Sequence, residues 1–152
     1  MSHARQQVRD AVFTQLGTNI GGGVGSNKFK SRVYPHDTLP CVSVYTRNDQ
    51  LDLDSSAMGD ERGHTLEVVV ECRAKVTTGY DDTLDDIALS VESLIATDST
   101  LGQKVKDIDL ISTIIDLSDD SDQPTALAVM TFEAIYRYRR TDPEKIIGLL
   151  YT

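Results

Sequence analysis

The chain has 152 residues, with 24 acidic side chains against 15 basic ones and a formal charge of −9. That balance excludes a dedicated nucleic-acid binder, which carries a basic face, and a basic membrane-surface module. No stretch approaches the ~18 apolar residues of a membrane span, and the opening MSHARQQVRD lacks the apolar run of a signal peptide. Length, 39% hydrophobic content and two cysteines without a CxxC pair lead to the expectation of a soluble, cytosolic, acidic single domain.

The spacing of Ala4, Val8, Ala11, Val12 and Leu16 predicts a helix from His3 to Leu16, with Ser2 as N-cap and Gly17 as its end. The stretch TNIGGGVGSNKFK follows. A phosphate-cradling loop needs a preceding strand and a following helix; here a helix precedes and an extended segment follows, so a mobile surface connection is expected. Arg32-Val33-Tyr34 reads as extended, and Pro40 opens the alternating CVSVYT, with Val42 and Val44 on one face. The polar RNDQLDLDSSAMGDERG then leads into a long strand from His64 to Ala74, whose Leu66, Val68, Val70 and Cys72 share a face. Two strands joined by about 17 residues form a long hairpin arm or a flap, and loops of that length commonly carry function.

A second helix is predicted from Asp81 or Asp82 as cap, through Leu84, Ile87, Ala88, Val91, Leu94 and Ile95. Its early carboxylates, Asp81, Asp82, Asp85 and Asp86, suit the positive end of the helix dipole. Two more strands are expected over 109–117 and 126–139, the latter with Ala126, Ala128, Met130, Phe132, Ala134, Tyr136 and Tyr138 on one face. Pro143 sets residues 141–152 apart as a C-terminal tail from a domain of residues 1–140. The fold class read from this order is α+β: a mostly antiparallel mixed sheet of four to five strands, two main helices packed on one face, and a long hairpin loop.

The chain carries no recognisable catalytic spacing. His3, His36 and His64 show neither HxH nor HExxH, and GxSxG, Walker and dinucleotide patterns are absent. Cys41 and Cys72 fall inside strands, as small buried hydrophobes do. The Asp81–Asp86 group could gather a hard cation, but helix capping and dipole compensation account for the same residues. Asp119, Asp120 and Asp122 lack calcium-loop spacing and read as a solvated turn. Charge is unevenly placed instead: residues 1–36 hold five bases and one acid, and residues 81–122 hold twelve acids and two bases. Opposite-sign patches on one chain favour head-to-tail contacts between identical copies.

Five stretches, HARQQVRDAVFTQL, FKSRVYPHDTLPCVSVYTRN, HTLEVVVECRAKV, YDDTLDDIALSVESLI and ALAVMTFEAIYRYRR, together resemble the tail terminator proteins of long-tailed bacteriophages, the minor tail protein U family of lambda-like siphophages. Val33, Asp37, Leu39 and Pro40 before VSVYT are the most telling. The resemblance spans residues 3–139 and departs at the glycine-rich 21–25, the acidic 107–122 and the tail after Arg140. It implies a non-enzymatic virion protein without cofactor: a hexameric ring at the head-proximal end of the tail, assembled in the host cytoplasm. Its partners would be the tail tube protein and a head-completion or connector protein, with DNA passing through the lumen unbound. On this reading Asp49, Asp52, Asp54, Asp60 and Glu61 are expected on the long loop, facing the lumen or tube. Arg137, Arg139 and Arg140 are expected at a subunit contact with acids such as Asp81 and Asp82. Another head–tail connector subunit, or a small metal-dependent enzyme using Asp81–Asp86, are the alternatives.

Overall fold

The computed structural model describes residues 3–30, 39–52, 61–76, 79–118 and 125–147. In chain order the elements are α1 (Ala4–Leu16), β1 (Lys28–Phe29), β2 (Cys41–Asp52), β3 (Glu61–Lys75), α2 (Tyr80–Ala96), β4 (Asp107–Ser118), β5 (Thr125–Arg139) and β6 (Asp142–Ile146). They form one sheet in the order β1-β2-β3-β5-β4, with β6 also on β5. Only β1 and β2 run parallel. The fold is therefore α+β with a mostly antiparallel sheet, as expected, but with six strands.

Period-two patterning builds the core. Val42 and Val44 of β2, Leu66, Val68 and Val70 of β3, and Ala128, Met130 and Phe132 of β5 face one side and are buried. Val8, Val12 and Leu16 of α1 and Leu84, Ile87 and Val91 of α2 close over that same side. Gln15 ties the helices together: its side-chain amide lies 2.8–3.1 Å from the carbonyl oxygens of Leu94, Ile95 and Asp98, supplying donors to the unsatisfied end of α2.

Several boundaries differ from the sequence expectation. α1 is capped by His3, whose Nδ1 accepts from the Arg5 amide at 3.1 Å; Ser2 lies outside the described residues. α2 starts after Gly79, which has φ +84° and supplies no side-chain cap. Asp81 and Asp82 sit in its first turn, where their charge complements the positive end of the helix dipole without capping it. The hairpin arm is the correct form of the long connection, because β2 and β3 stay paired out to Asp52 and Gly63. The tail is corrected as well. β6 pairs with the end of β5, and the Gln7 side chain of α1 donates to the Glu144 carbonyl. Pro143 is tolerated because β6 is a short strand at the sheet margin.

The glycine-rich stretch 21–25 is packed, not a loose connection. Ile20 and Val24 are buried, Ile20 bridges to Gly25, and the Gly21 amide donates to Ser90 Oγ of α2 at 2.9 Å. At Gly22 φ is +71°, and a Cβ there would meet Ile87 Cγ1 at 2.4 Å and the Thr83 carbonyl oxygen at 3.1 Å. Gly102 has the same φ with open space around it. Gly22→Ala is expected to destabilise by about 2–4 kcal/mol, combining strain and overpacking. Gly102→Ala should cost about 1 kcal/mol from backbone strain alone. Urea denaturation of the two variants compares them directly, and equal losses would remove the packing role given to Gly22.

Candidate functional site

A polar cluster gathers at the base of the hairpin arm. β2 carries an extra residue at Arg47, between the Thr46 and Asn48 pairings, and the bulge reverses its side-chain alternation. Asp49, paired with the inward Leu66, is thereby turned towards the helices. Its side chain is 8% exposed. Asp49 Oδ2 accepts from Tyr136 Oη at 2.7 Å and from Arg5 Nη1 at 3.3 Å. Oδ1 lies 3.1 Å from Nδ1 of the buried His64. The His64 ring stacks on Tyr138 at 4.3 Å, and His3 meets Tyr138 edge-on at 5.4 Å. One carboxylate thus joins α1, β2, β3 and β5.

The electrostatics follow from burial. Burial, then donation to Asp49, raises the Tyr136 pKa; burial, then the charge of Asp49, raises that of Tyr138. His3 is lowered, first by burial and then by Arg5. An ionised carboxylate only accepts, so Asp49 selects the tautomer with the proton on His64 Nδ1. An Asp–His pair is also the orienting half of a nucleophilic triad. His64 Nε2, the atom that would serve a nucleophile, is buried and meets no hydrogen-bond partner. The described geometry is that of a tie between elements, with no hydroxyl or thiol at the working end of the imidazole.

The two thiols are buried. Burial pushes the Cys41 thiol up to about 11 and the Cys72 thiol up to about 12. Both are therefore protonated at neutral pH, the opposite of an activated nucleophile.

The acidic residues assigned to the loop divide. Asp49 is corrected: it is a buried strand residue, because the bulge and the longer β2 carry it inward. Asp52 ends β2 and Glu61 begins β3, so both flank the connection and are not within it. Asp54 and Asp60 lie outside the described residues. Arg137, Arg139 and Arg140 are exposed at the β5–β6 turn, and Asp81 and Asp82 are exposed at the start of α2. Arg139 pairs with Glu61, and Thr125 with Lys75, just before α2. The arginines and these aspartates therefore sit at opposite ends of the 15-residue β3, roughly 45 Å apart along it, and can meet only between copies. Among the described residues no three His, Cys, Asp or Glu side chains gather as metal ligands.

A second feature was not legible in advance. β4 is the last strand of the sheet, and Ile111, Ile114, Ile115 and Leu117 are 48–60% exposed. The extra residue Ile111, between the Leu110 and Ser112 pairings, reverses alternation there too. Ile114 pairs with Val129 on the face away from the helices, while Ile115 and Leu117 pair with Ala128 and Ala126 on the helix side. Apolar side chains therefore emerge on both faces of an edge strand. The run LISTIIDL was expected as a strand, with no face assigned to its apolar residues.

No protein-family model matches this chain, and no curated protein is a significant match to it. Among the described residues, no helix is long and apolar enough to cross a membrane.

Two outcomes test this description. Tyr136→Phe should lose about 1–2 kcal/mol at neutral pH, the hydrogen bond to Asp49. The raised Tyr136 pKa gives stability that is full below the ordinary tyrosine value of about 10 and falls as pH climbs above it. The variant's urea midpoint should consequently fall less steeply in alkali than that of the parent. A disulfide reagent at neutral pH should titrate neither cysteine in the native chain and both in denaturant; rapid native labelling would contradict the buried placement.

Proposed function

We propose that this chain is a ring-forming structural subunit that terminates the tail tube of a long-tailed bacteriophage and offers the surface to which the filled head is joined. The observation that carries the reading is the β4 edge: four half-exposed aliphatic side chains on a sheet margin that, among the described residues, has no further partner strand. Soluble monomers blunt such edges, because an open strand with apolar faces recruits another chain. The α+β architecture is the one that the tail-terminator resemblance implies.

Two further points support the reading. The −9 charge of each copy repels phosphate, so a ring of such subunits lets DNA pass without gripping it. Asp52 and Glu61 flank the connection between β2 and β3, and with Asp54 and Asp60 in the sequence between them they make that connection acidic, the part of the subunit proposed to face the lumen or tube. Asp49 drops out of that set. Arg137, Arg139 and Arg140 with Asp81 and Asp82 define one geometry for the subunit contact, in which copies meet end to end.

The test is tube length. Tail tube protein polymerised alone should give tubes of unbounded length, and addition of this chain should stop growth and leave a ring density at one end in electron micrographs. Ile114→Ser combined with Ile115→Ser should abolish capping while leaving the thermal midpoint within a few degrees of the parent, since surface substitutions change stability little. Tubes that grow unchecked beside this chain, with the chain bound instead to the head vertex, would establish the connector alternative.

A further inference from the structure

The two lateral edges of the sheet carry opposite charge. β4 contains Asp107, Asp109 and Asp116 and no base. Among the described residues none of these three carboxylates pairs with a cation. Asp107 and Asp109 lie so close that Asp107, by hydrogen bond and then by charge, raises the Asp109 pKa. At the other margin stands β1, with Lys28, the following Lys30, and Arg9 of α1 behind them. Arg9 and Lys30 share the single carboxylate of Asp10, at 3.7 and 3.5 Å. Lys28 and Lys30 both lie over the Phe13 ring, at 4.1 and 5.1 Å. Lys28 is lowered by burial and then by the charge of Lys30. Each margin therefore holds an excess of one sign, next to apolar side chains: isoleucines on β4, Phe13 beside β1.

We infer that the β4 edge of one copy seats against the β1 edge of the next copy, so that the assembly contact is lateral, heterologous and head-to-tail. The proposal rests on the ring-subunit reading and specifies its contact. A contact of β4 with another β4 is disfavoured, because acidic margin would face acidic margin, and the exposed Lys106 just before Asp107 offsets only part of that charge. Pairing acid margin to basic margin relieves both and covers the apolar strip in the same step. A heterologous contact of this kind closes into a ring when its rotation permits. It differs from the end-to-end contact of Arg137 and Arg139 with Asp81 and Asp82, which would join the opposite ends of the strands.

Charge reversal followed by mixing tests the contact. The full chain carrying Asp107→Lys and Asp109→Lys, and the full chain carrying Arg9→Glu and Lys30→Glu, are measured by sedimentation velocity, with circular dichroism confirming that each is folded. Alone, each should associate at least about tenfold more weakly than the parent; mixed, they should recover the parent's particle size, because each reversed margin then finds its complement. If the basic-margin variant does not fold, added salt applied to the parent reads the same contact: a lateral acid–base contact weakens, and an acid–acid contact strengthens. The proposal is overturned by a parent that remains monomeric at every concentration, by either variant assembling alone as the parent does, by mixtures that stay dissociated, or by Arg137→Glu with Arg139→Glu dispersing the assembly while Asp107→Lys with Asp109→Lys does not. Capping of tubes is scored separately, so a failed contact with intact capping removes this inference alone. An intact lateral contact without capping removes the terminator reading alone.

Discussion

β5 is the element on which the other strands are ordered. It pairs along its whole length with β3 on one side and, on the other, first with β4 and then with β6. A strand committed on both sides leaves no freedom in the backbone ladder, and its inward face sets what the helices can approach. Ala126, Ala128 and Ala134 are interleaved with Met130, Phe132 and Tyr136 on that face. The small residues admit the helical layer closely, while the large ones fill the space between its ridges. Because two helices close over only one side of a six-stranded sheet, the margins cannot all be covered. The exposed edge at β4 follows from that shortage of cover.

Two single-residue insertions then redistribute side chains between the faces. In β2 the extra residue Arg47 sends Asp49 inward, where the carboxylate is satisfied by Tyr136, Arg5 and His64. A buried carboxylate with fewer partners would be costly, so the aromatic and basic groups around it have to be placed together with it. In β4 the extra residue Ile111 divides the apolar side chains between both faces of an edge strand. The first bulge fastens the hairpin arm to α1 and β5, and the second creates the strip proposed to bind another copy. Rigidity at one site and adhesion at the other arise from the same backbone device.

The candidate site was only partly legible from sequence. His64, Tyr136 and Tyr138 were correctly placed in strands, and the acids of the hairpin region drew attention, yet nothing in their spacing joined Asp49 to a phenol 87 residues later. That contact depends on cross-strand register, which alternation constrains only while the period of two is unbroken. The strand at 142–146 was not legible for a related reason. Pro143 argues locally against a strand, but a margin position asks for few amide donors, and β5 offered unpaired backbone beyond the start of β4. Gly22 likewise looked like mere flexibility until Ile87 and Thr83 of α2 were found against it.

Residue patterning by itself determined the α+β class, both helices, the four long strands and the inward faces of β3 and β5, because each rests on local periodicity and burial of one face. It also determined the acidic character and the separation of basic from acidic segments, which are properties of composition. The tertiary structure alone decided that Asp49 is buried, that 21–25 is a packed turn, that 142–146 joins the sheet, and that Lys28 of β1 and the acids of β4 lie at opposite margins of it. Each of these depends on register, bulges and strand order, which are set by contacts between residues distant in the chain and leave no local period to read.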